Sequence, residues 1–357
     1  MNAAYAHLYR YSIPFTEPVS VKGRKLLLRE GLVIALKSSD GKLAAYGEIA
    51  PLPGLHCEPL AAAEQQTIEV LTGYGDNLDK ALAGGNLFPS VRTGLEMALL
   101  NYQAAESGKL PPLSENSPAA SVPLNTLLSG NLKTTVAQAE TLYQEGYRTF
   151  KLKVNPASAN EISSIIHELC HTCGKKIQLR LDANQSMTLD EAVSFCRSLP
   201  EGSISYIEEP LKNPEQIEDF HALTAIPAAL DETLWQNPSL ADFIPERCLK
   251  AYILKPGRLG GISAAMSFAA TARNRKLMSV FSSAFESGIS LSFYAWMAAS
   301  SNTEPAACGL DTFRYLHHDL LEQPFGPKLA RLDPQLLFWK GHNVDLHSIR
   351  LSSIWTL

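Results

Sequence analysis

Between Thr149 and Gly261, five short apolar runs each end in a charged residue: TFKLKV with Lys151 and Lys153, QLRLDAN with Asp182, SYIEEP with Glu208, ALDET with Asp231, and YILKPG with Lys255. From Lys153 onward the charges fall 29, 26, 23 and 24 residues apart. Each interval accommodates one strand, one helix and two loops, which is the period of a (β/α) barrel. In such a barrel, charged residues at strand C-terminal ends read as chemistry rather than stability.

Alternation along a strand puts Lys151 and Lys153 on one face, and likewise Arg180, Asp182 and Asn184. With the five runs as strands 2 to 6, Asp182, Glu208 and Asp231 stand side by side. Three ionised carboxylates at close range raise one another's pKa unless a cation lies among them, and an oxygen-only donor set suits Mg²⁺, with Mn²⁺ as a substitute. Strands 2 and 6 lie across an eight-stranded ring, so Lys153 and Lys255 flank the metal position from opposite sides. This set suits removal of a proton next to a carboxylate, where a lysine takes the proton while positive charge holds the dianion.

The motifs Lys-x-Lys, Asp-Ala-Asn, Glu-Glu-Pro, Asp-Glu-Thr and Leu-Lys-Pro-Gly, in that order, resemble the muconate-lactonising branch of the enolase superfamily. The resemblance implies a TIM-type (β/α) barrel with an N-terminal α+β capping domain. Within the branch the chain is most similar to the o-succinylbenzoate synthase family, on REG at Arg29, GEIAPLPG at Gly47, PSVRTGLEMALL at Pro89, RLDAN at Arg180 and SSAFESG at Ser282. That implies dehydration of a small cyclohexadiene carboxylate to 2-succinylbenzoate in menaquinone synthesis. Lys153 would act as base and then acid, and Lys255 as the electrostatic partner. Ser283, Ser287 and Gly288 would receive the succinyl carboxylate. Lys151, Arg180, Asn184 and Glu232 are expected to touch substrate or to orient the ligands and lysines. Glu208 is favoured over Glu209 as ligand, and Arg29 is expected to close a strand.

Other chemistries fit less well. An N-succinylamino acid racemase would use the same two lysines, so the pair does not discriminate. A dipeptide epimerase would carry Asp-x-Asp on strand 8, where this chain has Cys308-Gly309-Leu310-Asp311-Thr312. His167-Glu168-Leu169-Cys170-His171 spells a zinc-hydrolase motif. Yet it falls on the helix between strands 2 and 3, where Ile162, Ile165, Ile166 and Leu169 form a stripe that must bury against the sheet. A barrel that only binds a ligand gives no reason for the full carboxylate and lysine set.

The elements that must position these residues follow from the rest of the chain. Its 357 residues exceed one ordinary domain and suit a barrel of about 250 residues with a smaller partner. Three strands are expected within residues 6–49, then helices from Pro59 to about Thr72 and from Pro89 to about Glu106. The capping domain is taken as residues 1–115 and the barrel as 116–327, with 328–357 packing back on the capping domain. The loop PLPGLHCEP reads as a rigid connector or a cover over the substrate. A net charge of −5 gives no footprint for nucleic acid or an anionic membrane. The N-terminal stretch lacks a signal-peptide pattern, so a cytoplasmic protein with free thiols and a small carboxylate partner is expected.

Overall fold

The computed structural model describes residues 3–75 and 77–357. Seven parallel strands pair in chain order: Asn125–Leu128, Thr149–Lys153, Gln178–Asp182, Ile204–Glu208, Ala228–Leu230, Leu249–Leu254 and Met278–Phe281. They are barrel strands 1 to 7 below. All but the short Ala-Ala-Leu strand 5 are rich in β-branched or large apolar residues, and most strand residues are buried, as strands covered on both faces must be. The eighth position is filled by only two residues. Cys308 bridges to Leu124 beside strand 1 and Gly309 to Ser282 beside strand 7, joining the two edges of the sheet. The chain turns away directly afterwards into a 3₁₀ helix, Asp311–Tyr315, because the Asp311 carboxylate accepts hydrogen bonds from Thr126, Tyr147 and Arg314. Strand 8 is therefore shorter than the Cys308 to Thr312 stretch expected there.

The second body is an antiparallel sheet of Tyr5–Val21, Arg24–Lys37 and Ala44–Ile49, with Arg350–Thr356 from the far end of the chain added to the edge of the first. Helices Leu60–Tyr74 and Pro89–Ser107 cover it. The second helix lies so close to the third strand that a Cβ on Gly47 would come within 2.0 Å of the Gly94 carbonyl oxygen. A short helix, Leu78–Ala83, capped by Asn77, was not evident from sequence periodicity because six residues give too few repeats.

The two bodies meet at the C-terminal ends of the barrel strands. Glu48, in the third strand of the antiparallel sheet, accepts from the Ser287 and Ser290 backbone N–H groups and the Ser287 hydroxyl at the start of helix Gly288–Ser301. Fully buried throughout, that helix places its positive N-terminal end on a carboxylate. No helix among the described residues is long and apolar enough to cross a membrane.

Gly47→Ala should destabilise the protein by about 3 kcal/mol, the upper end of ordinary overpacking, because the contact is backbone and cannot rotate away. Chemical denaturation of the variant against wild type checks this; equal midpoints would contradict the close approach.

Candidate active site

Parallel pairing in register assembles the charges. Lys153 lies opposite Asp182, and Asp182 opposite Glu208. Asp231 and Lys255 follow the last residues of strands 5 and 6. Asp182, Glu208 and Asp231 are at most 3% exposed. Lys151, one pleat below on strand 2, sends its Nζ between two of them, 2.9 Å from Asp182 and 2.9 Å from Glu208. Lys255 pairs with Asp231. Lys153 differs from both: it is exposed, and its Nζ lies 3.3 Å from the neutral Asn184 side-chain oxygen.

Burial pushes the Glu208 carboxyl up to about 7, and the neighbouring charge of Asp182 adds to that effect against Lys151. Burial acts the same way on Asp182, but Lys151 and Lys153 outweigh it and hold this group below its ordinary value. Burial also raises Asp231 and Glu232. For Lys151 burial works toward loss of the proton, yet Asp182 and Glu208 prevail and keep it well above its usual range.

Three strand-end carboxylates supply only oxygen donors. Asp231 Oδ1 and Glu232 Oε2 are buried without a hydrogen-bond partner. A hard divalent cation fits that donor set. With Lys151 and Lys255 ammonium groups standing against the carboxylates, no three His, Cys, Asp or Glu side chains among the described residues converge into a preformed cage.

Several neighbours serve the backbone. Glu209 turns the chain with φ +43° and accepts from the Asp231 and Thr233 N–H groups, the Thr233 hydroxyl and Gln185. It thereby fixes Asp231, a role the Glu-Glu pair does not reveal because the local reversal breaks strand alternation. Asn184, also at positive φ, donates to Glu232 while facing Lys153. Arg180 lies deeper in the barrel, stacked 5.1 Å from the Tyr206 ring centroid and donating to the Ala307 carbonyl. Ser283 sits beside Gly309 and Thr312. Ser287 and Gly288 are not gathered with the others, since their donors go to Glu48 and Asp319.

Arg29 is 1% exposed and reaches across the two bodies, donating to the Ala50, Pro51 and Phe285 carbonyls. It therefore ties the strand-7 loop to the capping sheet, rather than only closing its own strand. Within PLPGLHCEP, the His56 ring accepts from Leu52 N–H through Nδ1 and meets the Gly257 carbonyl at 3.0 Å through Nε2. The loop thus rests on the residues after Lys255. His167 and Glu168 are exposed on the outer helix, with His167 Nε2 2.9 Å from the Ser198 carbonyl, while the isoleucine stripe is buried. The six cysteines are free.

Comparison with known proteins now bears on this geometry. Residues 134–335 match the family model described as enolase C-terminal domain-like, and residues 3–102 match the model of the MenC N-terminal domain. The chain is 31% identical to the o-succinylbenzoate synthase of Pasteurella multocida, over 88% of this chain and 90% of that one. Against the Yersinia enterocolitica enzyme the figures are 33%, 89% and 93%. This chain belongs to the o-succinylbenzoate synthase family of the enolase superfamily. The family is one of lyases. The chain also matches PHYLLO of Arabidopsis thaliana at 33% identity, spanning 84% of this chain but only 20% of that much longer protein. Among solved structures, the L-Ala-D/L-Glu epimerase of Bacillus subtilis superposes with a TM-score of 0.81 at 21% identity, covering 93% of this chain and 96% of the epimerase. A dipeptide epimerase of Enterococcus faecalis, complexed with Mg and a dipeptide, gives 0.81 at 17%, covering 98% and 100%. These likenesses establish the enolase-type fold and leave the reaction to the site.

A further acidic residue lies where the two bodies meet. Glu286, in SSAFES, is buried beside Arg29 and Glu48. Burial pushes its carboxyl up to about 7 from 4.5, with Arg29 opposing. A carboxyl raised on folding stays protonated in the native state after the unfolded chain has lost its proton. Stability is thus spared below about pH 4.5 and falls as pH rises toward 7, by on the order of 3 kcal/mol for this group. Glu286→Gln should therefore match wild type near pH 4.5 and exceed it in denaturant midpoint at pH 8. A constant difference across that window would show that the carboxyl does not titrate there.

Proposed function

We propose that the site dehydrates 2-succinyl-6-hydroxy-2,4-cyclohexadiene-1-carboxylate to 2-succinylbenzoate and water, as expected of an o-succinylbenzoate synthase in menaquinone synthesis. The supporting observation is the unequal environment of the two lysines. Lys255 is paired with a carboxylate and enclosed, whereas Lys153 stands at the open strand end beside a neutral amide. One lysine is thus held against a carboxylate as a fixed charge, and the other reaches the open end without a carboxylate partner among the described residues.

In this reading Lys153 Nζ takes the proton on the carbon next to the ring carboxylate. The electron pair of that C–H bond moves toward the carboxylate, and Lys255 meets the developing negative charge from the opposite side. The carbon–oxygen bond to the ring hydroxyl then breaks as the new C=C bond completes the aromatic ring. The same Lys153 ammonium gives its proton to the leaving oxygen, so water departs and the lysine is restored. Asp182, Glu208 and Asp231 would hold Mg²⁺, with Mn²⁺ able to replace it. When bound, the ion supplies positive charge to the substrate carboxylate. Lys151 holds Asp182 ionised and opposes the burial that raises Glu208, and Glu209 and Asn184 orient Asp231, Glu232 and Lys153. Dehydration needs one proton-transferring lysine, while racemisation needs one on each face, so the asymmetry favours dehydration.

The two lysines can be separated by substitution. General catalysis by Lys153 is worth roughly 10² to 10⁴ in rate, so Lys153→Arg should lose nearly all dehydration. Lys255→Arg keeps the charge and should retain a measurable fraction. The assay follows loss of the cyclohexadiene absorbance; equal loss in both variants, with the fold intact, would point to two proton-transferring bases.

Chelation should abolish turnover, and Mg²⁺ should restore it, with Mn²⁺ as a weaker or equal substitute. Asp182→Asn should weaken Mg²⁺ binding at least tenfold by calorimetry, following the loss of about 1.4 kcal/mol or more from a charged ligand. Wild-type affinity in this variant would remove Asp182 from the ligand set.

A further inference from the structure

Two buried N–H donors lie together at the barrel mouth with nothing to receive them. Trp235 is on the short helix Glu232–Gln236 that begins after Asp231, and Arg258 follows Lys255 by three residues. The Arg258 guanidinium carbon sits 3.8 Å from the centroid of the Trp235 ring. Both Arg258 Nε and Trp235 Nε1 are buried without a hydrogen-bond partner. Such orphaned donors are rare, and each costs about 1–3 kcal/mol unless something accepts from it. Of the carboxylates within electrostatic reach of Arg258, none accepts a hydrogen bond from it: Glu58 takes Ser90, Asp231 takes Lys255 and Glu232 takes Asn184. Among the described residues, Arg258 forms no ion pair.

A second cation arrives from the other body. Lys22 and Gly23 make a two-residue hairpin turn between the first two strands, with φ +44° and +78°. Asn, Asp or Gly ordinarily occupy such positions, so a lysine there is held at a conformational cost. The hairpin is seated on the covering loop, where a Cβ on Gly54 would come 3.1 Å from the Val21 carbonyl oxygen. Its Lys22 Nζ lies 5.8 Å from the Trp235 ring centroid. A guanidinium and an ammonium from two further segments are thus both gathered on the Trp235 ring, which brings its own N–H.

We propose that Trp235, Arg258 and Lys22 form a binding subsite for a carboxylate at the far end of the substrate, distinct from the carboxylate next to the reacting carbon. The subsite rests on the reading of the site as an o-succinylbenzoate synthase, whose substrate and product each carry a succinyl arm ending in a carboxylate. Reach agrees with this. Trp235 lies four positions beyond Asp231, about 6 Å of helical rise, comparable to the length of such an arm. Charge agrees as well, because an anion accepting from Arg258 and Trp235 would satisfy both orphaned donors at once, and a guanidinium beside an N–H suits a planar carboxylate. Ser287 and Gly288, whose donors are already used within the protein, are not needed for this task.

The test is calorimetric, with Mg²⁺ present, using two ligands: 2-succinylbenzoate and 2-butanoylbenzoate, which ends the same arm in a methyl group. Wild type should prefer the dicarboxylate by about tenfold or more, the worth of charged hydrogen bonds at an enclosed site. Arg258→Met should bring the ratio near unity while leaving 2-butanoylbenzoate affinity in place. Trp235→Phe keeps the ring, removes one N–H and should lower the ratio about threefold, within the range of one hydrogen bond. Lys22→Asn, which suits the turn, should lower it as well and weaken its salt dependence. An unchanged ratio in Arg258→Met, or equal loss of both ligands, overturns the subsite. If Arg258→Met does not fold, an unchanged ratio in both Trp235→Phe and Lys22→Asn overturns it. Turnover of wild type is measured alongside. Turnover with an unchanged ratio removes the subsite alone, whereas absence of both turnover and ligand binding removes the functional reading and the subsite with it.

Discussion

Compensation of buried negative charge is the constraint on which the structure depends. Asp182, Glu208 and Asp231 stand on or just after three successive parallel strands, and burial with the charges of Asp182 and Asp231 raises the proton affinity of the middle one, Glu208. Lys151 projects from the next strand into the same layer and bridges two of them, and Lys255 meets the third. Such ion pairs gain little net stability, since desolvation offsets attraction. What the lysines do is hold Asp182 below its ordinary value and oppose the burial that raises Glu208 and Asp231, while fixing where the carboxylates point.

That arrangement requires rigid strand ends, and the protein secures them through backbone contacts. Glu209 spends its carboxylate on the N–H groups that follow strand 5. Glu48 does the same at the N-terminal end of the helix after strand 7, and Arg29 gathers carbonyls from the capping sheet and the strand-7 loop. Each is a charged group at or below 2% exposure that bonds to main chain. Glu48 and Arg29 join the two bodies through polar contacts with fixed directions, while Glu209 braces the barrel's own strand ends. The loop PLPGLHCEP, docked through His56 on Gly257, belongs to the same system.

The lysines illustrate how one residue type acquires two roles from its surroundings. Both end a strand, and both belong to motifs of the superfamily. Pairing with Asp231 inside the barrel leaves Lys255 little freedom to shed its proton, whereas Lys153 faces an amide at the open rim. A site of this kind is suited to a reaction in which one face handles protons and the other supplies charge.

The order of strands, the barrel, and the membership of Asp182, Glu208, Asp231, Lys153 and Lys255 in one layer were legible in the sequence alone. Strand period and alternation are local properties, and five motifs at regular spacing leave little choice of topology. The burial of the His167 helix stripe was legible for the same reason, since its period is written into consecutive residues. What neighbours do was not. Glu209 and Glu48 look like surface or ligand carboxylates until the backbone reversal and the second body bring amide donors to them. The length of strand 8 depends on Thr126 and Tyr147, far away in the chain, capturing Asp311. Ser287 and Gly288 matched a motif, yet only the packed structure decides where their donors go. Arg258, Trp235 and Lys22 carry no shared pattern at all. Spacing determines which side chains share a face, but hydrogen-bond partners are chosen in three dimensions by groups distant in sequence, and that choice belongs to the tertiary structure.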